Sequence, residues 1–564
     1  MHASTRSRFF ATLTSLIAAI ALALPLATVS TPALAAYATP AQTHASINCR
    51  LSATCTEVQD SEEVFGDGNY IGHDEPSTLF YSNRPGSGNQ MVYTMKLPAD
   101  PKPGAGNVPL AGQSFNFQLH PAFWFGMAMC DTQSYPEQVS TCTPNSDSNI
   151  FDGQDAAHPM SKHPGTAFME MQFYPPGWVA WPAGNSCDPT KWCAALNIDS
   201  LSEDPVNGTA QNATCAAVTG LEYVNFAFIT KSGRSQAPAS PVNATTATFT
   251  PDPTQDLFMN SGDTITTSLH DTAQGLRIDI IDLTTHQIGS MTSSAANGFG
   301  QVQYDPTGTS CNNIPYNFHP MYSTSSEHTR VPWAAHTYNI AFADETGHFE
   351  SCNGPNAITP GGACPAGNTE YDGEPADTND VGCFPAALST LIQAPGCLEG
   401  SGVTGFDSNP YHPIWPDGNT ALHPTTIQFT SPVTGPGFNY SRMAFEADLP
   451  RIEANDLGGS CDRTTGTNCT RIPITDDGQP ADFYPFFSIH KSQGRDAGNV
   501  GTDCTWLLGN DIPGLTTNDF GQNAQYGSLL FSTYLIFGGG GATHQVTNNF
   551  RQILGHNPCT NDFF

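Results

Sequence analysis

The sequence predicts an all-β chain of sandwich or jelly-roll architecture, followed by a second, smaller disulfide-bridged β domain. Three observations lead there. Glycine and proline number 52 and 45 among 564 residues, and breakers at that density leave little room for long helices. Short alternating segments recur along the chain with turn clusters between them. Cysteines number 16, an even count that suits a chain stapled by bridges.

The strand candidates follow in order. Segments 92–97 and 115–119 alternate apolar and polar residues, and 168–174, 224–230, 264–269, 276–282, 338–343, 426–429 and 443–447 carry comparable patterns. Pro85-Gly86-Ser87-Gly88-Asn89 and Asn260-Ser261-Gly262-Asp263 punctuate them with residues that accept turn geometry. The length exceeds one ordinary core. The expected division is a signal peptide over 1–35, a β-sandwich over 36–352, a connector over 353–405 and a C-terminal β domain over 406–564. The connector is rich in Gly and Pro and holds Cys364, Cys383 and Cys397.

Export is expected from the first residues. Arg6 and Arg8 precede an apolar run over 9–26, and Ala33-Leu34-Ala35 supplies the small-x-small site of a signal peptidase. Pro25 breaks the run and no basic stop-transfer cluster follows, which argues against a membrane span. All cysteines lie beyond this site, from Cys49 to Cys559, and no pair has the C-x-x-C spacing of a metal site. An oxidising compartment would let them form bridges worth about 2–4 kcal/mol each. Cys49/Cys55, Cys187/Cys193 and Cys461/Cys469 would close short loops, and the connectivity is otherwise open.

Charge narrows the partners. The chain carries 19 Lys+Arg against 51 Asp+Glu, a formal charge of −32, and loss of residues 1–35 removes Arg6 and Arg8 but no acid. Such a field repels nucleic acid and anionic lipid. A polymeric extracellular substrate, protein or polysaccharide, is the expected partner, with no membrane contact after signal cleavage.

The segment Phe168 to Trp178 carries the most suggestive chemistry. In a strand, Glu170 and Gln172 share one face while Met169, Met171 and Phe173 share the other. A carboxyl beside a carboxamide can process a polymer, and Trp124, Tyr174, Trp178 and Trp181 could stack on sugar rings or hold peptide side chains. An ordinary amphipathic strand with its polar face in water would read the same way.

A resemblance starts from Glu170 to Pro175, which ends in FYP. It continues with Asn260 to Ile265, which contains GDTI, and with Gly275 to Ser294, which contains DLTTHQ. These stretches, in this order, are similar to the glutamic peptidases of the eqolisin type. The likeness covers roughly residues 110–300. It implies a concanavalin-like β-sandwich, and a glutamate and a glutamine from separate strands working across a cleft. The glutamate would activate water and the glutamine would help hold the oxyanion. Gln133 lies about where the upstream glutamine falls, and Glu345 or Glu327 would be the downstream glutamate. The set 119–137, 163–178 and 331–350 also resembles secreted microbial proteins, a likeness that implies no activity.

Glycan cleavage is the neighbouring expectation. It needs two carboxylates roughly 5–5.5 Å apart for retention or roughly 6.5–9.5 Å for inversion, and Glu170 could pair with Asp282, Asp344 or Glu345. A non-catalytic carbohydrate- or surface-binding role on the same face is the alternative from another class. Six histidines precede proline: His120, His158, His163, His319, His412 and His423. His319, His336 and His348 lie in an aromatic-rich segment with Asp344 and Glu345, where structural histidine competes with a metal ligand set. The loop over 147–155 offers Asp147, Asn149, Asp152 and Asp155 to a structural calcium ion, or uses the same residues for Asx turns. No G-x-S-x-G elbow or phosphate-binding loop is present.

Overall fold

Two antiparallel sheets of ten strands each enclose the core, and both draw strands from distant parts of the chain. The computed structural model describes residues 77–97, 123–133, 143–147, 166–174, 176, 188, 190–201, 203–204, 209–219, 222–325, 333–336, 349–351, 358–360, 428–434, 438–449, 486–490, 504–508, 517–518, 529–536, 544–554 and 557.

The first strands are β1 (Ser77–Tyr81), β2 (Gln90–Lys96), β3 (Phe123–Cys130), β4 (Thr166–Tyr174) and β5 (Lys191–Leu201). A short pair, β6 (Glu203–Asp204) and β7 (Thr209–Ala210), leads to helix α1 (Ala213–Thr219), β8 (Glu222–Phe228) and helix α2 (Thr246–Phe249). Then come β9 (Met259–Asn260), β10 (Thr264–Thr272), β11 (Gly275–Asp282) and β12 (Ile288–Thr292). The pair β13 (Gly300–Val302) and β14 (Asn313–Pro315) precedes β15 (Trp333–His336), β16 (Phe349–Ser351) and β17 (Ile358–Pro360). The C-terminal part supplies β18 (Gln428–Thr430), β19 (Val433–Thr434), β20 (Phe438–Asn439), β21 (Arg442–Leu449) and β22 (Phe486–His490). It ends with β23 (Cys504–Leu508), β24 (Thr517–Asn518), β25 (Leu529–Ile536) and β26 (His544–Leu554).

The front sheet runs β25-β26-β21-β1-β15-β3-β4-β5-β8, with β9 paired to β5. The back sheet runs β12-β11-β10-β2-β18-β23-β22-β24, with β19 on β2 and β20 on β19. The segment 406–564, expected as a separate β domain, supplies strands to both sheets. β21 pairs with β1 and β18 pairs with β2, and Ser46–Phe564 forms one compact unit. Ladder bonds use backbone groups that every residue carries, so pairing between distant segments leaves no local mark in the sequence. Of the expected connector, β17 is the described part.

Alternation decides which side chains meet between the sheets. Phe125, Met127 and Met129 of β3, Met169, Met171 and Phe173 of β4, and Leu196 and Ile198 of β5 share one buried cluster with Met91, Tyr93 and Met95 of β2. Ile265, Leu269, Ile278 and Ile280 join it from β10 and β11. Tyr93 packs against Phe125 at a tilt with centroids 4.2 Å apart, and Phe125 meets Phe429 edge-on at 5.3 Å, so aromatic contacts cross between the sheets.

The expected strands 92–97, 168–174, 224–230, 264–269, 276–282, 426–429 and 443–447 overlap β2, β4, β8, β10, β11, β18 and β21, while 115–119 and 338–343 lie outside the described residues. The turn before β10 closes as its composition predicts. Gly262 takes φ +87°, and the Asp263 carboxylate accepts from the Asn260 backbone N–H at 2.7 Å. One bridge, Cys215–Cys311, ties α1 to the segment before β14. Its 96-residue separation implies roughly 4–5 kcal/mol by loop-closure entropy. Cys130 and Cys193 are also disulfide-bonded.

Candidate functional site

The candidate site is built on β3, β4 and β5, the adjacent strands near one side of the front sheet. Met169, Met171 and Phe173 turn into the core, which leaves Phe168, Glu170, Gln172 and Tyr174 on the opposite face of β4. The register sets Gly126 of β3 and Asn197 of β5 on either side of Glu170. Gln172 lies between Trp124 and Ala195, and Phe168 between Ala128 and Asp199.

This polar face is not in water. Glu170 is 2 % exposed, Gln172 4 %, Asn197 5 %, Asp199 6 % and Tyr174 0 %. Polar groups buried to this degree must be satisfied or they cost stability, and here they bond to one another. The Tyr174 hydroxyl and Asn197 Nδ2 both donate to Gln172 Oε1, and Gln172 Nε2 donates to Glu170 Oε2. The direction follows from the groups themselves. The glutamine oxygen takes the two donors, Tyr174 and Asn197, which leaves its N–H for the Glu170 carboxyl. The outcome is a carboxylate held by an oriented carboxamide in a low-dielectric setting, where such contacts are strengthened.

Aromatic rings frame the row. Phe168 meets Trp124 edge-on at 5.6 Å. Gly126 makes that contact feasible, because a Cβ there would lie 2.4 Å from the Phe168 ring and 2.7 Å from the Met169 carbonyl oxygen. On the β8 side, Phe226 lies 6.3 Å from Tyr174, 4.8 Å from Phe228 and 5.3 Å from Phe249.

Of the residues expected from sequence, the fold brings Glu170, Gln172, Tyr174 and Trp124 together. Gln133 lies beyond the end of β3, past Cys130, whereas Glu170 faces Gly126 in the middle of that strand. The Gln133 amide oxygen accepts the Tyr304 backbone N–H at 3.3 Å, and its Nε2 donates to the Thr132 carbonyl. Glu345, Trp178 and Trp181 lie outside the described residues, as do Glu327, Asp344 and His348. Asp282 caps the turn after β11, where its carboxylate accepts the Thr284 and Thr285 backbone N–H groups at 2.8 and 3.0 Å. It therefore supports a turn in the back sheet and does not share the Glu170 face.

Asp147 of the expected calcium loop accepts the Ser323 and Thr324 N–H groups and the Thr324 hydroxyl on its Oδ1. Asn149, Asp152 and Asp155 lie outside the described residues. His319 places its Nδ1 2.9 Å from Asp271, whose other oxygen accepts Asn145 Nδ2 at 2.7 Å. Among the described residues, no group of three His, Cys, Asp or Glu side chains is arranged to hold a metal ion. No described helix is long and apolar enough to cross a membrane.

Sequence reasoning missed Asn197 and Asp199. The segment KWCAALNIDSL reads as neither alternating nor uniformly apolar, and the signal that could have found them is the N-x-D pair at strand spacing. Comparison with known proteins adds no name to the site: no family model matches the chain, and no curated protein matches it.

Proposed function

We propose that the chain is an exported acid hydrolase of polymers, acting first on peptide bonds, with Glu170 as the group that activates water. One observation carries the reading: the oriented Gln172 amide donates to the Glu170 carboxylate within a buried row flanked by Trp124 and Tyr174. Glutamic peptidases use the same two residue types from separate strands, whereas Glu170 and Gln172 share one strand. The concanavalin-type sandwich belongs to the same proposal. Its support is the order of the FYP, GDTI and DLTTHQ segments along the chain.

In the proposed step, Glu170 takes a proton from water while the oxygen adds to the scissile carbonyl carbon. The carbonyl becomes an oxyanion that the Gln172 N–H stabilises. Collapse breaks the C–N bond, and the proton held by Glu170 passes to the leaving amine. Gln172 fills the part that the resemblance gave to Gln133.

The test is hydrolysis of an unfolded protein at about pH 3.5 in the presence of pepstatin, where Glu170→Gln is expected to lower the rate by roughly 10²–10⁴. Its melting curve serves as the folding control. Full activity in Glu170→Gln, with loss in Glu345→Gln, moves the base to Glu345. No cleavage by the wild type ends the peptidase reading.

Asp199 favours a second reading, glycan hydrolysis. It sits diagonally from Glu170 on the next strand and the same face, a placement that sets β-carbons roughly 7 Å apart. Polysaccharide cleavage lost in both Glu170→Gln and Asp199→Asn would select it. Polysaccharide binding without turnover would select a carbohydrate-binding protein.

A further inference from the structure

Asn197 completes the Gln172 network and is left with an unused acceptor. Its Nδ2 donates to Gln172 Oε1 and lies 3.5 Å from the Tyr174 hydroxyl oxygen. Its Oδ1 is sealed from solvent without a hydrogen-bond partner, on a side chain 5 % exposed. Flipping the amide does not relieve this. Oδ1 would then face Gln172 Oε1, itself an acceptor, and the Tyr174 hydroxyl already points its proton at that same oxygen. The locked orientation leaves a buried carbonyl oxygen that an apolar side chain would have avoided. Across the strands, Asn197 has Glu170 on one flank and Phe226 on the other. The residue carrying this acceptor therefore neighbours Glu170 across the ladder, with Phe226 and its cluster on the other flank.

We infer that Asn197 Oδ1 is a ligand-binding acceptor that takes an N–H from the group bound beside Glu170, so that the site selects amides over the matching esters. An amide satisfies the orphaned oxygen. An ester places a second acceptor against it and leaves both unpaired, which is the situation in which a polar site discriminates most strongly. Its consequence for catalysis rests on the hydrolytic reading of Glu170, whereas its consequence for binding does not. A role confined to positioning Gln172 would affect amide and ester alike, and this separates the two explanations.

The experiment uses the full chain carrying Glu170→Gln, so that neither probe is consumed. Acetyl-Phe-Phe-amide and its depsipeptide analogue, in which the central N–H is replaced by oxygen, are titrated calorimetrically at up to millimolar concentration. The amide is expected to bind about tenfold to a hundredfold more tightly, and adding Asn197→Leu should bring the ratio close to one. Adding Asn197→Asp instead keeps the acceptor and removes the donor to Gln172, so the preference should persist; this variant covers the case in which the leucine variant fails to fold. Equal binding of the two probes, binding of neither, or a preference unchanged by Asn197→Leu overturns the inference. Amide preference in a chain whose wild type cleaves no peptide upholds the binding site and refutes the peptidase.

Discussion

On β4, Phe168, Glu170, Gln172 and Tyr174 turn away from the core, and none is more than 4 % exposed. On β10, Thr264, Thr266, Ser268 and His270 also turn away from the core, and these remain partly exposed. The back face behaves as an ordinary wet sheet surface. Thr94 and Thr266 share a hydroxyl hydrogen bond at 3.0 Å across β2 and β10, and Arg277 pairs with Asp279 at 2.7 Å along β11. The front face instead holds a carboxylate, two carboxamides and a phenol out of water. Both strands are written with the same period of two, so alternation tells which residues share a face. It does not tell whether that face meets solvent, and polar groups matter for chemistry mainly where it does not.

The contrast between a buried polar group and a solvated one can be broken most strongly at Asp256. This residue is fully buried in the loop before β9, with Oδ2 accepting the Asp252 N–H at 2.7 Å and Oδ1 unpartnered. Burial pushes its pKa up to about 7; the Asp252 charge adds to the rise, while the Asp252 N–H bond and Lys231 oppose it. The fold thus favours the protonated acid. Its stabilising effect is complete below about pH 4 and is lost as pH rises from there to about 7. Asp256→Asn keeps an acceptor for Asp252 and cannot ionise. Urea unfolding is expected to show the variant gaining roughly 4 kcal/mol over wild type at pH 8 relative to the difference at pH 3. An equal difference at the two pH values would contradict this account. Asp252 illustrates the opposite case: partly exposed, and hydrogen-bonded by Gln255 and Thr254, its pKa is lowered to about 2.

A smaller effect is expected at Gly126, which sharpens the front-face side of the comparison. Alanine there drives a methyl group into the Phe168 ring and the Met169 carbonyl. About 1–3 kcal/mol of stability should be lost, together with the Trp124–Phe168 contact, which tryptophan fluorescence would report. The smallest effect belongs to the wet face. Arg277 is 39 % exposed and its partner Asp279 26 %, so Arg277→Ala should cost less than about 1 kcal/mol, and added salt should shrink that cost further. A loss of several kcal/mol there would mean the back face is not a solvated surface.

The legible parts of the fold were those with one wet or polar face. β2, β10 and β11 alternate between buried and more exposed residues over most of their length, and on β4 a polar residue follows Met169 and Met171. β3 was not legible as a strand. FWFGMAMC is buried on both faces from Trp124 to Cys130, so it carries no period at all. β5 was hidden for the same reason: every residue from Trp192 to Ser200 is buried. The site divided likewise. Glu170, Gln172 and Tyr174 sit two apart on one strand and were visible together, whereas Asn197 reaches Gln172 only because β5 lies beside β4 in a particular register.

By itself the sequence determined the all-β class, the dense turns, and the shared face of Glu170 and Gln172, because residue spacing and backbone preference are local properties. Tertiary structure alone decided that 428–554 completes the two sheets begun by β1 and β2, that the polar row is buried, and that Asn197 stands opposite Glu170. Those outcomes depend on which strands pair and what covers a face, and strand pairing is made by backbone groups common to every residue.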